Sequence, residues 1–217
     1  MSTRSKRRKE QRPEEILQAA LEEFIAKGYA GTRLEDVAKR AGISKGLVYV
    51  YFDTKEKLFK AVIRTFLVPH VQMLRDEVDT SELSSESLLR GPVLRLMKKI
   101  IGSRMHELIR LLIAEGPRHP DLTAFYYEEV VSRGMALLQR IIDRGVARGE
   151  FRPTPLRDYP QLVIAPMLMA VVWKLLMERH RPLDAEKVLE THIELLLQFL
   201  KADTTVAEAG VVSDRPT

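Results

Sequence analysis

Residues 34–52 read LEDVAKRAGISKGLVYVYF, and their spacing decides the fold. Leu34, Val37, Ala38 and Ala41 repeat at helical intervals and share one face. Gly42 follows where a tight turn needs a left-handed residue, a conformation that glycine adopts without a Cβ penalty. Ile43 plugs the angle between this helix and the next. Ser44 caps a second short helix that runs to about Tyr51. Val37, Ala38, Ile43, Val48 and Phe52 are the small and medium apolar residues that hold two short helices at a steep angle. The pattern is a helix-turn-helix, whose second helix lies in a DNA major groove while the first crosses the backbone.

That geometry leaves Lys45, Gly46, Leu47, Tyr49 and Val50 facing outward. Leu, Tyr and Val exposed together on so short a helix mark a contact surface, and a thymine methyl suits Leu47 or Val50. Gly46 costs roughly 1 kcal/mol of helix propensity against alanine. Either it eases packing within the domain or it allows close approach to a phosphate or base edge. Upstream, Thr32 and Glu35 form a T-x-x-E capping box for the first helix. Further back, Pro13, Glu14 and Glu15 open a helix in which Ile16, Leu17, Ala20, Leu21, Phe24 and Ile25 recur with period 3.6, and Gly28 closes it. Downstream, Lys55 begins a helix whose first backbone N–H groups can bind an anion. The alternative for Lys55 and Lys57 is simple solvated charge.

The stretch from about Ile16 to Phe59 resembles the DNA-binding domain of the TetR/AcrR family of transcriptional regulators. Ile16, Ala19, Ala20, Phe24, Gly28, Tyr29, Thr32, Val37, Ala38, Ala41, Gly42, Ile43, Ser44, Lys45, Gly46, Tyr49, Tyr51, Phe52, Lys55 and Leu58 carry the resemblance. The sequence departs from the family pattern at Thr32-Arg33, where two hydroxylated residues are common, and at Tyr51, where histidine is frequent. The resemblance implies nine or ten helices, a homodimer, a divergent C-terminal ligand domain and repression relieved by ligand. It also implies that Thr32, Arg33, Tyr51 and Lys55 contact phosphate and that Lys45, Gly46, Leu47, Tyr49 and Val50 face the bases, with Ser44 at the head of the recognition helix.

The remainder of the chain is patterned for helices alone. Residues 55–79 form one helix bent at Pro69, followed by a polar loop over 79–87 and helices near 87–101, 103–115, 120–149, 158–180 and 184–201. The expected architecture is all-α: a three-helix DNA-binding domain at 13–60 and a helical regulatory and dimerisation domain at 61–201. Residues 1–12 are a disordered basic arm, and residues 202–217 a disordered tail. The arm holds six of the 35 Lys and Arg and one of the 30 Asp and Glu, so the whole +5 formal charge sits there. Such arms bind phosphate and reach into minor grooves, although RNA or membrane surfaces attract them too.

The segment 158–180 is apolar almost all round, so it must be buried on two sides. One side suits its own domain and the other a second subunit. Leu168, Val172 and Leu176, with Leu189, Ile193, Leu196 and Leu200 on the next helix, are the expected dimer contacts. A ligand pocket is expected among Phe66, Met73, Ile101, Met105, Leu108, Ile109, Leu112, Phe125, Met135, Met167 and Trp173, with Met97, Tyr126 and Leu138 as further candidates. Methionine adaptability and a few aromatics suit a small apolar or aromatic effector. His70, His106 and His119 are the available polar anchors.

The chain lacks cysteine, which excludes disulfides and thiolate metal or redox sites and fits a cytoplasmic protein. No two histidines have metal-ligand spacing, and no cofactor is expected. No Gly-rich phosphate loop, G-x-S-x-G or H-E-x-x-H occurs, so an enzyme is not expected. The longest charge-free run, Tyr159–Trp173, is short of the ~20 residues that span a bilayer.

Overall fold

Helical periodicity is realised along the chain. The computed structural model of the protein describes the backbone of residues 3–201 and the side chains of residues 13–201. Among the described residues twelve α-helices follow one another: α1 Thr3–Gly31, α2 Leu34–Arg40, α3 Lys45–Tyr51, α4 Lys55–Phe66, α5 Val68–Thr80, α6 Ser85–Leu88, α7 Leu94–Gly102, α8 Met105–Glu115, α9 Pro120–Tyr126, α10 Ser132–Ala147, α11 Gln161–Leu176 and α12 Ala185–Leu200. Five-residue π-turns at Leu89–Val93 and Tyr127–Val131 join α6 to α7 and α9 to α10. Among the described residues the only extended pairing is an isolated bridge between Phe151 and Lys201. The all-α expectation holds.

Three details differ from the sequence reading. The α1 backbone begins at Thr3, where a disordered arm was expected; this stretch is rich in Arg, Lys, Glu and Gln, all good helix formers. Met1, Ser2 and the expected tail at 202–217 lie outside the described residues. The helix expected over 55–79 is two helices parted at Leu67 (φ −115°), one turn's start ahead of Pro69. The π-turn at Leu89–Val93 contains Pro92, which lacks an N–H and clashes with the i−4 carbonyl, so the ladder slips by one residue there. No proline or glycine marks the second π-turn.

Two hydrophobic cores form. The first unites Ile16, Ala20 and Phe24 of α1 with Val37, Val48, Leu58 and Phe59, and it recruits Leu108, Leu111 and Leu112 of α8 and Leu122 and Phe125 of α9. Phe24 meets Phe59 edge-to-face at 5.0 Å, and Tyr29 meets Phe59 at 5.2 Å. Each such pair adds about 0.5–1.5 kcal/mol beyond the area it buries. The second core draws on α5–α7 and α10–α12, including Met97, Ile141, Ile142, Leu189 and Ile193. The N-terminal domain is thus seated on two helices of the body.

Glu23 ties α1 to α2. Its buried carboxylate sits 2.6 Å from Arg40 Nε and 2.8 Å from Lys27 Nζ. Burial raises its pKa, but the hydrogen bonds from Lys27 and Arg40 outweigh that and hold it below the usual carboxylate value. A lowered acid contributes stability at neutral pH that is lost as pH falls through its folded value.

Gly28 breaks α1 at φ 76° and ψ 170°. A Cβ built there would lie 2.5 Å from Glu115 Oε1, whereas one at Gly42 (φ 65°) meets nothing within 4 Å. Gly42→Ala should therefore lower stability by the left-handed penalty alone, about 1–2 kcal/mol, and Gly28→Ala by clearly more. Urea denaturation midpoints measure the difference; equal losses would show that the Glu115 carboxylate yields freely.

Candidate DNA-binding face and internal cavity

The helix-turn-helix forms where the sequence places it. Gly42 takes its left-handed φ, Ile43 N–H donates to Ala38 O at 3.0 Å, and Ser44 Oγ accepts from Leu47 N–H at 3.3 Å. Val48 is fully buried against the first core. Lys45, Gly46, Tyr49 and Val50 are exposed on the opposite side, Val50 at 78%, with Leu47 and Tyr51 half-buried. A Cβ at Gly46 would meet nothing within 4 Å, so packing inside the chain does not require glycine there.

Two of the outward residues converge on a residue the sequence reading used only as a cap. Glu35 Oε1 lies 2.6 Å from Lys45 Nζ and accepts from Tyr49 OH at 3.1 Å. The hydrogen bond from Lys45 leads the effects that hold the Glu35 pKa at about 2, so the carboxylate is ionised throughout the physiological range. Lys45 Nζ also stands 5.7 Å from the Tyr49 ring centroid.

The expected capping box is not formed. Arg33 is the N-cap of α2 without a side-chain cap bond. Thr32 is buried, and its hydroxyl is directed back to Gly28 O (2.7 Å) and Glu23 O (3.2 Å). The break at Gly28 leaves carbonyls there that need a donor, and Thr32 supplies it. Its hydroxyl is therefore turned away from the surface where a phosphate would sit. Arg33 is exposed and has no ion-pair partner among the described residues. At the head of α4, Thr54 Oγ1 accepts from Lys57 N–H at 3.1 Å.

Lys55 is engaged inward as well. Its Nζ donates to Ala30 O at 3.0 Å and stands 4.7 Å from the Tyr29 ring centroid. Burial lowers its pKa, with Glu115 pulling the other way. Tyr29 N–H in turn donates to Glu115 Oε1 at 3.0 Å, and His119 meets the Tyr29 ring at 4.6 Å. The C-terminal end of α8 thus closes the broken end of α1, a junction the sequence did not signal.

An internal cavity of about 100 Å³ lies in the body. Of the expected pocket residues, Met105, Ile109, Met135 and Met167 line it, as do Met97, Tyr126 and Leu138. The others do not. Leu108, Leu112 and Phe125 belong to the first core and Ile101 to the second. Met73 is exposed, and Phe66 borders an open cleft beside α1. Trp173 donates from Nε1 to Arg181 O at 2.8 Å. Helical spacing marked all these residues as inward, but inward has two destinations in a chain with two cores. Val93, Val130 and Val131 of the two π-turns also line the cavity.

Its polar groups are few. Of the three histidines, His70 reaches the wall, while His106 Nδ1 is 2.5 Å from Ser103 O and His119 serves the Tyr29 junction. Burial lowers the His70 pKa, helped by nearby Lys99, and pushes the Tyr126 hydroxyl up to about 12.

Helices α11 and α12 carry an apolar outer face. Among the described residues, ten of the sixteen exposed large apolar side chains lie between Tyr159 and Phe199. Leu168, Val172 and Leu176 are among them, but Leu189, Ile193 and Leu200 are buried in their own core and Leu196 packs beside it. The outward residues of α12 are Leu195 and Phe199 instead. No described helix is long and apolar enough to cross a membrane, and no described group of three or more His, Asp or Glu is placed to hold a metal ion.

Residues 16–62 match the model of the TetR family of bacterial regulatory proteins, and residues 88–194 match that of the tetracycline-repressor-like C-terminal domain. The chain is 30% identical over 143 residues to the transcriptional repressor KstR2 of Mycolicibacterium smegmatis, covering 65% of this chain and 68% of that protein. The crystal structure of a TetR-family transcriptional regulator from Mesorhizobium loti superposes with a TM-score of 0.72 at 25% identity, over 93% of this chain and all of the other. Bacillus subtilis FadR in complex with stearoyl-CoA gives 0.72 at 18% identity, over 86% and 98%.

Thr32→Val keeps the shape and removes the buried hydroxyl bonds, so it should lower stability by about 1–2 kcal/mol while leaving the salt dependence of DNA binding unchanged. Arg33→Met should leave stability unchanged and flatten that salt dependence by a slope of about 1. Denaturation and fluorescence anisotropy across a salt series measure both; the reverse assignment would mean that Thr32 turns outward on DNA.

Proposed function

The chain belongs to the TetR family of transcriptional regulators, and from that premise we propose a homodimeric repressor that binds a palindromic operator and is released by a small apolar effector. One observation carries the reading. The Tyr29 junction of the DNA-binding domain and the cavity lie at opposite ends of the same two helices. Helix α4 runs from Lys55, at Tyr29, to a C-cap at Leu67 in the cavity wall. Helix α8 runs from Met105 and Ile109 in that wall to Glu115, which holds Tyr29 N–H. A ligand that displaces the wall moves both supports of the DNA-binding domain.

On this reading α3 lies in the major groove with Lys45, Gly46, Leu47, Tyr49 and Val50 toward the bases. Arg33, Tyr51 and the Thr54-capped head of α4 lie along the phosphates. Lys55 reaches phosphate only by leaving Ala30 O, and Thr32 serves the turn. The effector enters a wall of Met, Leu, Ile and Val with His70 and Tyr126 as its polar handles, which suits an apolar body carrying one polar group. FadR, which shares the fold, is in complex with stearoyl-CoA, one half of which is a long apolar acyl chain.

The partner subunit covers the outer face of α11 and α12, where Leu168, Val172, Leu176, Leu195 and Phe199 are exposed. Val172→Glu should give a folded monomer, since Val172 is exposed within one chain. Ile193→Glu should unfold the protein, since it buries an unpaired charge in the core. Sizing with light scattering reads both, and wild type running as a monomer at micromolar concentration would overturn the dimer.

The repressor reading is tested by selecting duplexes from a randomised pool with the wild-type protein. The expected site is two-fold symmetric, with half-sites about one helical turn (~34–36 Å) or a multiple apart. Fatty acyl and aromatic compounds that raise the thermal midpoint should then weaken binding to the selected duplex, and the duplex should weaken theirs by the same factor. Compounds that bind the body and leave DNA affinity untouched would overturn the effector mechanism.

A further inference from the structure

The anionic oxygen that meets Lys45 and Tyr49 belongs to the protein itself. Glu35 sits in the first turn of α2, and its Oε1 takes both the Lys45 ammonium (2.6 Å) and the Tyr49 hydroxyl (3.1 Å). Its neighbour Asp36 faces elsewhere and pairs with Lys27 at 3.0 Å. Glu35 is exposed enough to be reached by a nucleic acid and is not required by the core. We propose that Glu35 is a specificity-determining residue, which keeps Lys45 and Tyr49 from binding phosphate on DNA of the wrong sequence.

Affinity for arbitrary DNA grows with each phosphate a cation neutralises. A Lys45 already paired to a carboxylate contributes no such neutralisation until it leaves Glu35. A base edge with acceptors in the right place, such as guanine O6 and N7, offers a directed replacement for that partner, and arbitrary sequence offers only diffuse charge. Glu35 therefore subtracts more from non-cognate than from cognate binding, and the ratio of the two rises.

The inference rests on the DNA-binding reading above, and the experiment separates the two. Binding of wild type, Glu35→Gln, Asp36→Asn, Lys45→Met and the Glu35→Gln/Lys45→Met double variant is measured on a mixed-sequence duplex and on the selected duplex, across 50–200 mM salt. Glu35→Gln should tighten mixed-sequence binding, steepen its salt slope by about one phosphate, equivalent to about 3.5-fold more loss over that salt range, and narrow discrimination. The gain should vanish in the Lys45→Met background and be absent in Asp36→Asn. A gain of equal size in either control would mean that general negative charge is responsible, and unchanged discrimination would mean that Glu35 is passive. Both results overturn the inference while the DNA-binding reading stands. Wild type that binds neither duplex overturns both. Thermal denaturation of each variant confirms that the comparison is between folded proteins.

Discussion

The arrangement of this molecule depends on a single backbone N–H. Helix α1 must stop at Gly28 for the chain to turn into α2, and the break leaves Tyr29 N–H without a helical acceptor. The acceptor arrives from 86 residues downstream, as Glu115 Oε1 at 3.0 Å. A Cβ at Gly28 would stand 2.5 Å from that carboxylate, so any other residue there requires the Glu115 side chain to shift. The same junction gathers Lys55 above the Tyr29 ring and His119 at its edge, so a negative, a positive and two aromatic groups share one site. A partly buried carboxylate left unpaired is costly, and here a backbone donor and a cation attend it. The donor lies in one domain and the carboxylate in the other, so this bond links the two domains directly.

Much of this was legible in residues 34–52. Gly42, Ile43, Ser44 and Val48 each have a local duty, in turn, plug, cap and core, and local duties are what a sequence states most directly. The errors arise where a residue has two partners within reach. Thr32 reads as a cap because Glu35 follows at the right interval, yet the carbonyls freed at Gly28 lie nearer its hydroxyl. Glu35 is then released from the capping box and takes Lys45 and Tyr49. No periodicity could have shown this, because the three residues come from two helices whose crossing angle sets the contact. Glu115 is hidden for the same reason.

The body shows a second limit. Helix α11 is apolar on nearly every side, so its pattern indicates burial without saying which side meets the chain's own core. The structure assigns Val163, Met167, Ala170 and Val171 inward and leaves Leu168, Val172 and Leu176 outward. On α12 the stripe Leu189, Ile193, Leu197 and Leu200 is consumed by the core, and only Leu195 and Phe199 remain outside. A stripe of ordinary width on an amphipathic helix is filled by its own domain first. Surplus apolar surface is greatest where the helix exceeds that width, as α11 does.

Cavity size sets the terms of the proposed switch. A volume of about 100 Å³ is smaller than the roughly 150 Å³ that accommodates benzene, and well below the 300–1,000 Å³ of sites for larger ligands. A ligand of more than a few heavy atoms that lodged fully within this space would displace side chains of the wall. Close-packed interiors do not stretch smoothly, so the wall yields where an element has a second arrangement available. The π-turn at Tyr127–Val131 is such a place, with one residue more per turn than its flanking helices and with Val130 and Val131 in the wall. Glu129 within it lies 3.5 Å from Arg64 of α4, whose guanidinium also stands 4.7 Å from the Phe125 ring. A shift in this turn therefore acts on α4 directly, while displacement of Met105 and Ile109 acts on α8. Both helices end on Tyr29, so on the proposed reading two displacements begun in one cavity would arrive at one junction at the base of the DNA-binding domain.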